Sequence, residues 1–367
     1  MRRTLAAKRK AADQKDARAQ TGHAARRQAL AQSRQSKARR VGDLTVTQTG
    51  SVREATANEY EKIFARVLEW ESHHLGAVAE TSADMDWVLT NLIDEWYLEG
   101  ESFGMASKAV AATVFFRSKF GRGKACQLDG ARQALRGWRR LEPPLSRLPL
   151  SWPILAMLIN EMVRLGFREA GVVTALMFFT YFRPSEPFKL RVKDLVPPTP
   201  QAGGSHKLWS LTLHAFEGGQ ASKTQEFDEG VLLDRPASFF LGPVMQKIAR
   251  DKKPSDLLFG ITQTALGTAL REAFLAVPSH KLERPTLYQV RHSGASVEFA
   301  DKVRTLAEIQ RRGRWRAVQS VRRYEKGPRV NEQLRKLEPR VRSFAVQCGQ
   351  CVDAVLSTRR SPLEPPW

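Results

Sequence analysis

The sequence predicts a mainly α-helical protein with a small antiparallel β-sheet, an α+β domain preceded by an all-α N-terminal domain. Apolar residues recur at helical spacing through residues 55–140 and again from Gln263 onward. Between these regions, residues 209–213 alternate apolar and polar side chains, which indicates a strand. The Pro-rich stretch LEPPLSRLPL at 141–150 is typical of an interdomain linker. With 42% hydrophobic residues among 367, each part has enough apolar side chains for a packed core.

The net charge of +21, with 59 Lys and Arg against 38 Asp and Glu, predicts a polyanionic partner. Nucleic acid is the first expectation, and an anionic membrane surface is the weaker alternative. No stretch approaches the roughly 18 consecutive apolar residues that span a bilayer, so no membrane insertion is expected.

The start MRRTLAAKRK has no apolar core, so we expect no secretory signal. Three cysteines, Cys126, Cys348 and Cys351, are too few for a disulfide framework and favour a reducing compartment. We expect the nucleus in a eukaryote and the cytoplasm otherwise, with an organelle transit peptide left open.

Residues 1–50 are predicted to form a basic disordered tail. Residues 1–42 contain 13 Lys and Arg against two Asp, with few large apolar residues, so they cannot bury a core. A solvated tail, a DNA-binding arm, a nuclear localisation signal and a transit peptide all fit this composition, and a basic arm is slightly favoured.

Residues 55–140 are predicted to form a helical domain. Apolar residues predict a first helix from Tyr60 to Leu68, a second ending near Gly100, and a third over 105–118 whose alanines allow close packing. The later part, Arg117–Arg140, is strongly basic and would form either a DNA-facing edge or an ordinary charged surface.

Residues 151–337 are predicted to form a second domain, mainly helical with a small inserted sheet. It opens with a one-sided apolar helix, and Gly171–Phe182 is apolar enough to be a helix buried on all sides. Strands are expected at 209–213 and at 231–233, and helices again from Gln263 through Tyr324. The Pro-containing residues 338–367 are predicted to be a C-terminal tail.

Four segments of this domain contain candidate catalytic residues. In the first, Arg183-Pro184-Ser185-Glu186, a buried helix delivers an arginine to a turn, and Pro184 suggests that a helix restarts there. Glu186 would pair with an arginine and hold it in place. In the second, Lys223 follows a Gly-Gly turn and precedes a strand, a hairpin position from which a lysine can donate a proton.

In the third segment, Tyr288 and Arg291 are three residues apart and are therefore expected on one face of a helix. An arginine there suits bidentate binding of phosphate. In the fourth, Trp315 is followed nine residues later by Tyr324, which is flanked by cations that would favour phenolate and attract phosphate. Taken singly, each of these residues is also compatible with an ordinary surface position.

The order and setting of these residues resemble the catalytic domain of the tyrosine recombinases, the family of phage integrases and transposon recombinases. The residues that carry the resemblance are Arg183 with its companion Glu186, Lys223, Tyr288, Arg291, Trp315 and Tyr324. The resemblance covers about residues 55–335. It implies that 55–140 is the family's core-binding, DNA-binding domain and that 151–337 is its catalytic domain. One position departs from the family pattern, because Tyr288 stands where the family has histidine, the better proton acceptor near neutral pH.

The resemblance implies a site-specific DNA recombinase or integrase, from a mobile element, that acts on double-stranded DNA as a tetramer. Tyr324 would form a 3′-phosphotyrosine, Arg183 and Arg291 would neutralise the phosphate oxygens, Lys223 would protonate the leaving oxygen, and Trp315 would pack at the phosphate. No metal or other cofactor is implied. The single motif Cys348-Gly-Gln-Cys351 has too few ligands for zinc, and two incidental cysteines are the favoured interpretation.

Two alternatives remain at this point. A catalytically impaired, recombinase-derived DNA-binding protein is favoured somewhat by Tyr288. A type IB topoisomerase shares the catalytic residues but is less compatible with the modest length.

Overall fold

The computed structural model describes residues 44–121, 127–143, 147–213, 229–278, 281–322, 327–358 and 361–367. The chain divides into two compact units, Met1–Leu145 and Ser146–Trp367. The division falls inside the Pro-rich stretch 141–150 that was predicted to be the linker. Each unit has its own buried hydrophobic cluster.

All the regular secondary structure among the described residues of the N-terminal unit is helical. Its helices are α1 (Val46–Thr49), α2 (Glu54–Leu75), α3 (Ser82–Leu98), α4 (Phe103–Phe116) and α5 (Asp129–Leu141). Side-chain caps define the starts of α3 and α4, as elsewhere in this unit. The Thr81 hydroxyl accepts the backbone N–H of Asp84 before α3, and the Ser102 hydroxyl accepts that of Met105 before α4. Ala106, Ala109 and Ala112 of α4 are fully buried, which allows neighbouring helices to approach closely.

A buried ion pair joins α2 to the end of α4. Arg117 donates from Nη1 to Oε1 of Glu71 at 2.7 Å and from Nη2 to Oε2 at 2.9 Å. The same carboxylate accepts the backbone N–H of Ala79 at 2.7 Å. Arg117 therefore has a structural partner. Among the described residues, the exposed cations of the predicted basic stretch are Lys119, which follows α4, and four arginines on α5. These arginines are Arg132, Arg136, Arg139 and Arg140.

The C-terminal unit combines helices with a small sheet. Its helices are α6 (Trp152–Arg164), α7 (Arg168–Thr180), α8 (Leu241–Ala249), α9 (Gln263–Ala276), α10 (Leu287–Ala300), α11 (Leu306–Gly313), α12 (Val318–Arg322), α13 (Gly327–Arg335), α14 (Pro339–Gln350) and α15 (Val352–Ser357). Its strands are β1 (Leu195–Val196), β2 (Ser210–Leu213) and β3 (Glu229–Leu232).

Helix α7 forms the centre of this unit. Every residue from Ala170 to Thr180 is buried, which confirms the helix that the apolar run predicted. Helix α10 packs directly on its backbone: a Cβ on Gly294 would lie only 1.9 Å from the carbonyl oxygen of Phe178. Glycine at this position therefore sets how closely α10 approaches the end of α7.

The three strands form one antiparallel sheet in the order β1-β2-β3. Leu195 of β1 is opposite Leu211, and Leu213 of β2 is opposite Glu229 of β3. Leu211 and Leu213 are buried against the core, as their alternation with polar residues predicted. The sheet lies between α7 and α8 in the chain, and the predicted fold class is confirmed.

Residues 338–367, expected to be a tail, instead contain α14 and α15, which pack against the core of the C-terminal unit. Val341, Phe344, Ala345 and Cys348 of α14 are buried. These residues recur at helical spacing, and the four prolines lie at the start of α14 and beyond α15, where they do not interrupt a helix. Within the described part of the chain, no helix is both long and apolar enough to cross a membrane.

Candidate active site

The end of α7 brings Arg183 into a turn that Glu186 closes. Tyr181 adopts a left-handed conformation with φ 54°, which ends the helix. Oε2 of Glu186 accepts the backbone N–H of Arg183 at 2.6 Å, and Oε1 accepts Nη1 of the same arginine at 2.7 Å. The chain continues into a short 3-10 helix, Pro187–Lys189, so the helix restart expected at Pro184 is wrong. The reason is local, because the Glu186 carboxylate stabilises the turn itself.

Arg291, on α10, is only 2% exposed and links two other segments of the site. Its Nη1 donates to the carbonyl of Tyr181 and its Nη2 to the carbonyl of Gly313. Nη1 is also 4.0 Å from Oε2 of Glu186. Arg291 therefore lies beside the Arg183–Glu186 pair, although the two arginines are more than 100 residues apart in the chain.

The third segment, Gly313-Arg314-Trp315, lies at the end of α11. Trp315 packs so closely on Gly313 that a Cβ there would lie 1.7 Å from the indole ring. The guanidinium carbon of Arg291 is 4.6 Å from the centre of the same ring, within cation–π range. Trp315 thus packs against Arg291 and helps to hold its guanidinium group in position, in addition to any direct role at a phosphate.

Arg314 is a member of the site that the sequence interpretation did not assign. It has φ 56° and caps α11, and its Nη2 donates to Oε2 of Glu186. Its Nε lies 3.5 Å from Oε2 of Glu229, and its carbonyl accepts Nη2 of Arg183 at 3.3 Å. The available signal was Gly313, because a glycine often marks the end of a helix, where a left-handed residue is common.

Glu186 is therefore the hub of a cluster of three guanidinium groups, those of Arg183, Arg291 and Arg314. Counting Glu186 and Glu229 as the two carboxylates, the described cluster carries one net positive charge. Glu186 is 3% exposed, while the Arg183 side chain, at 15%, is the most exposed of the three arginines. Burial holds the pKa of the Arg314 guanidinium below its usual range, and the Glu186 and Glu229 carboxylates oppose that shift. The chemistry of this arrangement suits an anion that can accept hydrogen bonds from arginine.

Behind this cluster, a second ionic network fixes the elements that carry it. Glu298, fully buried on α10, accepts the Tyr181 hydroxyl and, at 2.7 Å, Nε of Arg304. Asp234, just after β3, accepts Nη2 of Arg304 at 2.6 Å and is 3.3 Å from Nη1 of Arg312. Burial, with Glu298 nearby, raises the pKa of Tyr181, so this phenol stays protonated as a donor. The network thereby ties the end of α7 to α10, α11 and the sheet.

Tyr288 differs from the other predicted residues. It is 56% exposed, and its ring is 6.2 Å from that of His292 on the same helix. Arg291, three residues later, is buried, so Tyr288 does not belong to the buried cluster despite the helical spacing. Tyr288 faces the surface within the first turn of α10.

Lys223 and Tyr324 lie outside the described residues. The strands before and after Lys223, β2 and β3, pair antiparallel, with Leu213 opposite Glu229. The described part of helix α12 reaches Arg322, two residues before Tyr324. The roles expected of both residues remain predictions.

The fold is similar to that of solved integrases. The integrase of transposon Tn1549, in complex with circular intermediate DNA, matches with a TM-score of 0.53 at 13% identity, covering 76% of this chain and 91% of that one. A lambda integrase dimer bound to a COC′ core site matches with a TM-score of 0.50 at 12% identity, covering 76% and 73%. The chain has the fold of the tyrosine recombinases. No protein-family model matches the sequence, and neither does any curated protein.

Within this tyrosine recombinase fold, two further features bear on cofactors. Among the described residues, no group of three or more His, Cys, Asp or Glu side chains is arranged to hold a metal ion. Cys348 and Cys351 are free, and Cys348 is buried on α14. Burial, followed by the Glu161 carboxylate, raises the pKa of the Cys348 thiol to about 12, which disfavours the thiolate that a metal or an oxidant would need.

Proposed function

We propose that the protein is a site-specific DNA recombinase that cuts and rejoins DNA through a 3′-phosphotyrosine formed by Tyr324. The observation that carries the proposal is the arginine cluster around Glu186. Arg183, Arg291 and Arg314 come from three separate parts of the chain and converge on the buried Glu186 carboxylate, and Trp315 packs against Arg291. A fold shared with solved integrases supports the same conclusion.

In the proposed reaction, the Tyr324 oxygen attacks the scissile phosphorus and its proton passes to water. The bond from phosphorus to the 5′-oxygen breaks, and Lys223 supplies the proton that this leaving oxygen takes up. Arg183 and Arg291 neutralise the charge that develops on the non-bridging oxygens. A 5′-hydroxyl of another strand then reverses these steps, so the phosphodiester is restored without an external energy source.

The charge distribution supports double-stranded DNA as the substrate. The exposed face of α5 carries four arginines, and the opposite face buries Ala131 and Trp138. Cations in such an array contact successive phosphates and release counterions. The Tn1549 and lambda integrases were solved with DNA, the latter as a dimer. We accordingly propose self-association on DNA, with a tetramer as the complete assembly.

A second candidate is a DNA-binding protein of recombinase descent that has lost catalysis. The exposed position of Tyr288 favours it, because a phenol outside the buried cluster supplies neither the charge nor the base of a histidine. Arg183, Arg291 and Trp315 are retained in either case, so only a reaction distinguishes the two candidates.

The test is covalent trapping on nicked suicide duplexes, in which the short fragment beyond the cleaved phosphate diffuses away. Since the target sequence is unknown, the full chain is incubated with a randomised library of nicked duplexes, and covalent adducts are isolated in denaturing gels and sequenced. We expect an enriched sequence, and we expect Tyr324→Phe and Arg183→Gln to abolish the adduct while DNA binding persists.

Each other outcome has a definite meaning. An adduct that persists in Tyr324→Phe would refute the assignment of the nucleophile. Tight DNA binding without any adduct would replace the proposal with the second candidate. Relaxation of supercoiled DNA without sequence preference would instead identify a type IB topoisomerase activity.

A further inference from the structure

Arg314 differs from the other buried arginine of its segment in how its donors are used. Arg312, two residues earlier, is 9% exposed; it donates to the carbonyls of Phe179 and Leu232 and pairs with Asp234. Arg314 is 6% exposed and directs Nη2 to Glu186, but within the described residues nothing accepts a hydrogen bond from its Nη1. A guanidinium has five N–H donors, and leaving a buried one unused costs free energy.

The surroundings of this unused donor indicate what would accept it. Arg183 donates to the Arg314 carbonyl, and both arginines share the Glu186 carboxylate. Arg291 lies 4.0 Å from the same carboxylate. An acceptor at Nη1 would therefore lie in the field of three guanidinium groups and two carboxylates, a cluster with one net positive charge, which favours an anion over a neutral group.

The position of Tyr288 strengthens this inference. A site that must neutralise a phosphate gains no positive charge from a phenol, and this phenol is 56% exposed. Arg314 instead supplies a permanent positive charge, held by the turn at the end of α11 and by the close packing of Trp315 on Gly313.

We propose that Arg314 is a third phosphate-binding arginine of this site, whose Nη1 donates to a non-bridging oxygen of the bound phosphate and compensates for the absence of charge at Tyr288. The identification of this phosphate as the scissile one rests on the proposed recombinase function. The presence of an anion site that uses Arg314 does not.

The first test measures binding of inorganic phosphate to the full chain by calorimetry, for wild type, Arg314→Gln and Arg314→Lys. Arg183→Gln is a positive control, and Arg311→Gln is a matched control because Arg311 is exposed on the same helix. Because Arg314→Gln loses one charge-assisted hydrogen bond, we expect it to bind phosphate at least about tenfold more weakly than wild type. We expect an intermediate loss in Arg314→Lys and none in Arg311→Gln. Wild-type affinity in a folded Arg314→Gln would overturn the proposal.

A measurement on the unmodified protein covers the case in which Arg314→Gln does not fold. The Nε–H resonance of Arg314, assigned by its absence from the spectrum of Arg314→Lys, should shift as phosphate is added. A resonance that stays constant while that of Arg183 shifts would refute the proposal just as directly.

The second test separates this inference from the proposed function. If no DNA yields a Tyr324 adduct but phosphate affinity depends on Arg314, the anion site stands and the recombinase proposal fails. If wild type forms the adduct, Arg314→Gln should form it at least tenfold more slowly on normal DNA. The rate of adduct formation by Arg314→Gln should become more similar to that of wild type when the scissile phosphate is replaced by an uncharged methylphosphonate. A deficit that is equal on both substrates would indicate a structural role and overturn the proposal.

Discussion

The structure makes Glu186→Gln the most informative substitution in the site. Glu186 is 3% exposed and accepts three hydrogen bonds, from the backbone and Nη1 of Arg183 and from Nη2 of Arg314. Glutamine keeps the volume but offers a single acceptor oxygen and no charge. The substitution leaves three guanidinium groups facing one another with Glu229 as the remaining carboxylate, so the net charge of the cluster rises from one to two.

The expected loss follows from the burial of these charges. Removing one partner of a buried ion pair costs about 3–5 kcal/mol, since the other partner is left without compensation. For a domain of this size, about 2–4 °C of melting temperature corresponds to each kcal/mol. Glu186→Gln should therefore lower the melting temperature of the C-terminal unit by about 6–20 °C.

Differential scanning calorimetry of the full chain measures this shift. Glu332→Gln is the matched control, because Glu332 forms an exposed ion pair with Arg329 in the same unit, and we expect no measurable change. Sulfate should restore part of the loss in Glu186→Gln beyond the effect of sodium chloride at equal ionic strength, since an anion would replace the missing charge. A shift below about 2 °C, or no specific response to sulfate, would refute the view of Glu186 as the hub.

Two further predictions concern the elements that hold the site. Gly294→Ala should destabilise the protein by about 1–3 kcal/mol in urea unfolding, because its Cβ would meet the Phe178 carbonyl at 1.9 Å. The control Gly267→Ala, in α9 with nothing within 4 Å of its Cβ, should instead stabilise by about 0.5–1 kcal/mol; destabilisation by both would refute the contact argument. Although burial opposes this shift, the hydrogen bond from Arg304 lowers the pKa of Asp234 below its usual value of 3.8. The stability contributed by the Asp234 carboxylate is therefore present above pH 3.8 and is lost as the pH falls through the folded-state pKa. Wild type should therefore exceed Asp234→Asn in stability at neutral pH, and the difference should shrink under acid; a difference independent of pH would contradict the role of its charge.

Local sequence patterns predicted much of the fold because they report which face of each element is buried. The unbroken apolar run before Arg183 predicted a fully buried helix, and α7 is buried from Ala170 to Thr180. The alternation around Leu211 predicted a strand, and β2 pairs on both sides. Composition was a poorer guide at residues 338–367, where prolines suggested a tail although apolar residues at helical spacing form α14.

The site residues divide in a similar way. Arg183, Glu186, Arg291 and Trp315 were identified by their order along the chain, and the structure brings these four together. Tyr288 was expected on the same face as Arg291, but its ring faces the surface. Spacing fixes angular separation on a helix and does not reveal which neighbour covers each turn.

By itself, the sequence determined the fold class, the excess of positive charge and the identity of the residues available for phosphate chemistry, because these depend on residue type and local periodicity. Only the tertiary structure decided that Glu186 joins Arg183 to Arg314, since Arg314 is 128 residues from Glu186 and 131 residues from Arg183 along the chain. It also decided that Arg314 has a buried donor in the cationic cluster, a consequence of the left-handed turn after Gly313 and of Trp315 packing against it. Contacts of this kind arise from how helices and strands pack together, and no local pattern encodes them.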